Sequence, residues 1–128
     1  MGIVAAMVVP MLGGGVSTTE LRSSARQMAA ALRLARSEAL STRREPFVLL
    51  DLERRVFRVD TDTREITLPR DVELKLFTAQ SDLVSEKAGA IRFYPDGGSN
   101  GGRVTIAAGE RKYEVDVDWL TGRVAILD

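Results

Sequence analysis

Few residues in this sequence have side chains suited to catalysis. It contains no histidine and no cysteine, which excludes Ser-His-Asp and Cys-His nucleophilic sites and zinc bound through those side chains. A serine activated by a lysine base would have to use Lys75, Lys87 or Lys112, and none of these lies in a recognisable motif. The sequence therefore predicts a protein that is not an enzyme and has no cofactor.

Two Asp-x-Asp pairs are the remaining candidates for a metal or carboxylate site. Asp60 with Asp62, and Asp116 with Asp118, would each place two carboxylates on one face of a regular strand. Such oxygens can bind calcium, but neither pair lies in a loop like that of an EF-hand. A two-carboxylate glycosidase site would need aromatic platforms, and aromatic content is only 5%. We interpret all four as solvated carboxylates and predict no metal.

The glycine clusters do not form a nucleotide-binding motif. Glycines 13–15 are not followed by the lysine of a phosphate-binding loop, and glycines 97, 98, 101 and 102 do not match GxGxxG. The formal net charge is zero, and no aromatic residues interleave with the arginines that precede Pro46. We expect neither a small-molecule substrate nor a nucleic acid as a partner.

The element that positions the rest of the chain is one long helix. Ser17 and Glu20 have the spacing of a capping box, and apolar residues follow at alternating steps of four and three. The pattern predicts a helix over about residues 17–44, ended by Pro46. Its apolar stripe, which we expect to pack on a sheet, comprises Leu21, Ala25, Met28, Leu32, Ala35 and Ala39.

The chain after Pro46 alternates with the period of β-strands. Alternation is strictest at residues 112–119, where Trp119 is predicted to share one face with Tyr113, Val115 and Val117. Strands are predicted at 47–51, 56–60, 65–68, 72–77, 90–94, 103–107, 112–119 and 123–127. A long, mobile polar connection is expected at 78–89 and a glycine-rich turn at 95–102. The fold class is α+β, one domain with a helix packed on antiparallel sheets of about seven or eight short strands.

An apolar run at residues 3–12 precedes the helix. It is too short to span a bilayer, which takes about 20 residues, and it lacks the basic region of a secretory signal. Two interpretations stay open from the residues alone. The run is either a buried or frayed apolar end, or the second half of a membrane helix whose first half is absent. Glycines 13–15 predict a hinge after it.

Four segments of the chain form a recognisable set. They are the apolar run ending at Pro10, the helix segment LRLARSEA at 32–39, RFYPDG at 92–97 with the glycines at 101 and 102, and VDWLTGR at 117–123. Together they resemble the GspH/FimT family of type IV pilin-like proteins, and more narrowly the H-type minor pseudopilin of type II secretion systems. The resemblance implies a structural subunit at or near the tip of a pseudopilus, which supports export of folded proteins across the outer membrane.

The resemblance also implies how the chain is divided. Residues 1–16 would form the C-terminal half of a membrane and filament helix, followed by a glycine joint. Residues 17–128 would form the periplasmic domain of a protein that is anchored in the inner membrane. The family's basic leader, its glycine-phenylalanine cleavage site and a glutamate at the fifth mature position have no counterpart here. We expect a truncated soluble form or a start codon assigned too far downstream. The implied membrane and filament residues are Ile3, Val4, Val8, Val9, Met11 and Leu12.

The partners implied by the resemblance are the I-, J- and K-type minor pseudopilins, the major pseudopilin and the inner-membrane assembly platform. On the domain, we expect the connection at 78–89 and the turn at 95–102, with Asp96, Ser99 and Asn100, to be exposed for partner contacts. The alternative is a minor pilin of a type IV pilus, involved in pilus assembly or DNA uptake. That alternative predicts salt-dependent DNA binding by exposed arginines.

Overall fold

The computed structural model describes residues 17–78, 83–85 and 87–128. Within these ranges the chain forms one α-helix and nine β-strands, and every strand pair is antiparallel. The elements are α1 Thr18–Thr42, β1 Phe47–Asp51, β2 Val56–Val59, β3 Ile66–Thr67, β4 Glu73–Thr78, β5 Leu83–Ser85, β6 Ala88–Arg92, β7 Gly102–Ala108, β8 Arg111–Val117 and β9 Val124–Leu127. The predicted α+β class is confirmed.

Helix α1 begins and ends through local hydrogen bonds. The Ser17 hydroxyl accepts from the Glu20 backbone N–H at 3.0 Å, and the Glu20 carboxylate accepts from the Ser17 N–H at 3.4 Å, which completes the predicted capping box. At the other end Arg43 adopts a left-handed conformation with φ 57°, and its N–H donates to the Ala39 carbonyl. The helix therefore ends at Thr42 rather than at residue 44.

The strands form two sheets, and α1 packs against both. The first sheet has the order β3-β2-β1-β6-β5, and the second has the order β4-β7-β8-β9. The helix contacts β1 and β2 of the first sheet and β7, β8 and β9 of the second. One hydrophobic core therefore lies between the helix and the two sheets.

The apolar stripe of α1 lies at the centre of this core. All six of its residues are at most 1% exposed. The large side chains that fill the space from the sheets include Phe57, Phe93 and Ile91, each buried and each worth about 1.5–3 kcal/mol of transfer free energy. Because alanines supply half of the stripe, the helix backbone can lie close to the strands.

Two strand predictions need correction. The connection predicted at 78–89 contains strand β5, which pairs with β6 and is the ninth described strand. The sequence pattern did not predict β5 because a strand of three residues is too short to show a periodic alternation. Trp119 does not continue the buried face of β8, which ends at Val117, and its side chain is 68% exposed. The chain turns away after Val117 because the Asp118 carboxylate accepts from the Leu120 N–H at 3.0 Å.

Several predictions concern residues outside the described ranges. They are the six membrane and filament residues, the glycine joint at 13–15, and the part of the 78–89 connection at 79–82 and 86. No helix in the described ranges is long and apolar enough to cross a membrane.

Candidate interaction surface

Arg36 joins three distant parts of the chain near the C-terminal half of α1. Its Nε donates to the Gly97 carbonyl at 3.1 Å and to the Thr121 carbonyl at 3.1 Å. These carbonyls belong to two separate turns, one after β6 and one between β8 and β9. Hydrogen bonds from a charged donor are roughly twice as strong as neutral ones, so one guanidinium fixes both turns to the helix.

The two turns approach each other through glycine backbone. Gly97 and Gly122 have φ values of 92° and 72°, in the left-handed region that favours glycine. A Cβ added to Gly122 would lie 1.9 Å from the Gly97 carbonyl oxygen. Only glycine therefore fits at this point. Arg36, Gly97 and Gly122 come from three of the segments that carry the family resemblance, and the structure brings those segments together.

The three predicted contact residues of the 95–102 turn have mainly structural roles. The prediction that Ser99 is exposed is wrong: it is 5% exposed, and its hydroxyl donates to the Arg92 carbonyl at 2.6 Å. The Asn100 side-chain oxygen accepts from the Arg92 N–H at 2.9 Å. Asp96 is exposed, and its carboxylate accepts from the Gly98 N–H at 2.8 Å. Ser99 and Asn100 are half or fully buried because they complete the backbone hydrogen bonds at the end of β6.

Beside these turns lies an open groove bordered by exposed aromatic side chains. Phe77 and Trp119 are 77% and 68% exposed, and they border a groove of about 840 Å³. Gly101 and Gly102 form part of its lining, and a Cβ on Gly101 would lie 2.9 Å from the Trp119 Cβ. Leu120, next in the chain, is 67% exposed. Clustered exposed apolar side chains of this kind mark an interaction site.

At Trp119, the groove has no signature in the strand pattern of the sequence. Alternation predicts that Trp119 lies on the buried face of β8, whereas the turn at Asp118 moves it to the surface. A signal was present at Phe77, which follows Glu73 and Lys75 on the outward face of β4. An aromatic residue at a position that alternation assigns to solvent indicates a contact surface.

The first Asp-x-Asp pair stabilises turns at the end of β2. The Asp60 carboxylate accepts from the Phe47 N–H at 3.3 Å. The Asp62 carboxylate accepts from the Arg64 N–H at 2.9 Å and pairs with the Arg64 guanidinium at 2.9 Å. The side-chain hydrogen bond from Arg64, followed by the backbone one, lowers the pKa of Asp62.

The second pair is also engaged by neighbouring groups. Asp116 pairs with Arg103 at 3.1 Å, and Arg103 also contacts Glu114 at 3.4 Å. Asp118 accepts from the Leu120 N–H and, at 3.1 Å, from the Thr121 hydroxyl. Within residues 17–78 and 87–128 no three acidic side chains come together in a group that could hold a metal ion. The four carboxylates therefore serve turns and cross-strand pairing.

The helix packed on two antiparallel sheets is a type IV pilin-like fold. The fold is similar to that of the minor pseudopilin EpsH from the type 2 secretion system of Vibrio cholerae, with a TM-score of 0.66 and 17% identity over 84% of this chain and 96% of that one. It is also similar to the type IV minor pilin FimU of Pseudomonas aeruginosa, with a TM-score of 0.63 and 18% identity over 86% of this chain and 90% of that one.

The chain belongs to the GspH family, described as type II transport protein GspH, which its residues 24–122 match. It is 33% identical over 113 residues to the type II secretion system protein H of Xanthomonas campestris pv. campestris. That similarity covers 88% of this chain, and the chain spans 66% of the length of this relative. The predicted family is confirmed.

Proposed function

We propose that the protein is a structural minor pseudopilin of a type II secretion system, at or near the pseudopilus tip, which supports export of folded proteins across the outer membrane. The observation that carries this proposal is the family match over residues 24–122, together with 33% identity to a secretion system protein H. The fold does not separate secretion from pili, since EpsH and FimU resemble it almost equally. The sequence similarity favours the secretion subunit over a type IV minor pilin.

In this proposal the chain has two working parts. Residues 1–16 supply the end of a membrane and filament helix, whose apolar residues pack against the same helix of neighbouring subunits. Residues 17–128 form the periplasmic domain, anchored at the inner membrane. The capping box at Ser17 supports this division, because it lets α1 begin without a helical turn before it. The partners are the I-, J- and K-type minor pseudopilins, the major pseudopilin and the assembly platform.

The domain docks on a neighbouring pseudopilin through the groove between Phe77 and Trp119. Covering such a side chain contributes about 1.5–3 kcal/mol, and tryptophan is enriched among residues that dominate binding. The backbone next to the groove is fixed, because the Ser99 N–H donates to the Trp119 carbonyl at 3.0 Å. A binding surface whose backbone is already ordered loses less conformational entropy on binding, which strengthens the contact.

Binding to purified I-, J- and K-type domains tests the proposal. The wild-type domain should associate with at least one of them, and Trp119→Ala should weaken that association by about 30-fold or more, or roughly 2 kcal/mol. Leu127→Ala is the matched control. Its side chain is 42% exposed at the end of β9, outside the groove, and its loss should leave binding unchanged.

Two results would count against the proposal in different ways. If the wild-type domain associates with none of the three domains at concentrations of tens of micromolar, the tip role is wrong. If Trp119→Ala and Leu127→Ala bind as the wild type does, the subunit role stands and the groove is not the contact. The pilus alternative predicts a gel shift of duplex DNA at low salt, which we expect to be absent.

A further inference from the structure

A second groove lies on the side of the domain where α1 meets β9. It has a volume of about 470 Å³ and is lined by Arg33, Arg36, Thr121, Arg123 and Val124. We call it the arginine groove. The Arg33 Nη2 donates to the Val124 carbonyl at 3.1 Å, and the Arg36 Nε is held by the two turn carbonyls described above. Two of its guanidinium groups are therefore fixed by backbone.

The positive charge of the arginine groove is not neutralised within the described residues. Carbonyl hydrogen bonds orient a guanidinium but carry no counter-charge, and none of the three arginines forms a salt bridge in residues 17–78 and 87–128. Elsewhere on the domain, basic side chains do form salt bridges with acidic ones. These salt bridges are Arg54–Glu65, Arg64–Asp62, Lys87–Glu53 and Arg103–Asp116.

The carboxylates close in the chain are already engaged. The Glu38 carboxylate, two residues from Arg36, accepts from the Thr61 hydroxyl. Asp118 accepts from the Leu120 N–H at 3.0 Å and from the Thr121 hydroxyl at 3.1 Å, which fixes it within its own turn. Arg123 uses its backbone N–H and carbonyl in that turn, whereas its exposed side chain makes no hydrogen bond to the described residues. Three guanidinium groups thus line one open groove, and none of them pairs with a carboxylate of the described residues.

We propose that the arginine groove binds carboxylate side chains of an acidic segment on a partner protein. Planar guanidinium groups match carboxylates with paired hydrogen bonds, and two of them are already oriented, which lowers the entropy cost of binding. The proposal rests on the proposed function only for the partner's identity, a neighbouring pseudopilin. Its chemistry rests on the groove alone.

The position of the groove favours a protein over a lipid surface. Arg33 lies about 24 Å along α1 from Ser17, at 1.5 Å per residue. If the segment before Ser17 leads to the membrane, lipid headgroups lie well below the groove. The formal net charge of zero also gives no long-range attraction for a nucleic acid.

Charge reversal at Arg123 tests the proposal with little risk to the fold, because its side chain has no described partner. The probe is a fluorescently labelled hexaglutamate peptide, measured by anisotropy at low and moderate salt. We expect salt-sensitive binding to the wild type and a loss of about tenfold or more in Arg123→Glu. Arg70→Glu is the matched control. It reverses an exposed arginine in the turn before β4, with no described ion pair, and should stay within about twofold of the wild type.

A second variant separates charge from fold. Arg33→Gln removes the charge, and its amide is too short to replace the hydrogen bond to the Val124 carbonyl. It should weaken hexaglutamate binding while circular dichroism shows that the domain remains folded. Equal binding by the wild type and Arg123→Glu would overturn the proposal. Preferential binding of duplex DNA or of phosphatidylglycerol vesicles, lost in Arg123→Glu, would also overturn it, because the groove would then take phosphates.

The same variants distinguish this proposal from the proposed function. Hexaglutamate binding that is lost in Arg123→Glu, together with no association with the I-, J- or K-type domains, supports the groove and contradicts the subunit role. Association with one of those domains that is unchanged in Arg123→Glu and Arg33→Gln supports the subunit role and overturns the arginine groove.

Discussion

Replacing Gly122 with alanine should destabilise the domain far more than the same change at Gly109. Both glycines have positive φ, 72° and 63°, so alanine costs about 1–2 kcal/mol at either position for the left-handed backbone alone. At Gly109 an added Cβ meets no atom within 4 Å, so this is the whole effect. Gly109 is therefore a control matched in conformation but not in surroundings.

At Gly122 the added Cβ would lie 1.9 Å from the Gly97 carbonyl oxygen. The two turns would have to separate by about 1.5 Å to restore an ordinary contact. That separation strains or breaks the hydrogen bonds from Arg36, and a bond to a charged donor is worth about 1.5–3 kcal/mol. We expect Gly122→Ala to lower the free energy of unfolding by about 3–5 kcal/mol and Gly109→Ala to lower it by about 1–2 kcal/mol.

Urea denaturation followed by far-ultraviolet circular dichroism measures both values. Against a total stability of about 5–15 kcal/mol, the Gly122→Ala loss should bring the midpoint close to zero urea or shift it strongly downward. Gly109→Ala should shift it modestly with an unchanged slope. If the two variants lie within about 0.5 kcal/mol of each other, the contact between the turns does not contribute to stability and the reasoning is refuted.

Arg36→Ala should lower the free energy of unfolding by about 2–4 kcal/mol in the same assay, because it removes the donor shared by both turns. Arg26 is an exposed helix arginine without a described partner, so Arg26→Ala should change that free energy by less than about 0.5 kcal/mol. Equal effects of the two variants would contradict the bridging role of Arg36. The carboxyl carbon of Asp62 should titrate with a pKa below that of an ordinary aspartate, and Arg64→Ala should raise it. Since the pKa of Asp62 is lowered in the folded state, the stabilisation by its ion pair with Arg64 is present at neutral pH and is lost as the pH falls through that pKa. A wild-type titration midpoint equal to that of an ordinary aspartate would contradict the Asp62–Arg64 pair.

The elements with local signals could be predicted from the sequence. The capping box of α1 lies within four consecutive residues, and strand alternation marked β1 and β2 to within a residue. Strand alternation also predicts the hairpin of β7 and β8. These patterns depend only on residues close together along the chain, so they can be recognised without knowing how the strands pack.

The arrangement around Arg36 could not be predicted in that way. Its two carbonyl partners lie 61 and 85 residues further along the chain, and nothing near Arg36 distinguishes it from the other helix arginines. The composition of the 95–102 turn indicated exposure, yet Ser99 is buried because the end of β6 needs its hydroxyl. Contacts of this kind depend on which strands become neighbours, which residue patterns do not specify.

The order of the elements has a consequence for how the chain is made. Helix α1 comes first in the described chain, and β8 and β9, two of the strands that cover it, come last. A chain synthesised from its N terminus therefore carries the uncovered apolar stripe of α1 until its final residues are available. During that interval the stripe is open to association with other apolar surfaces, so timely release of the C-terminal hairpin protects the newly made domain from aggregation.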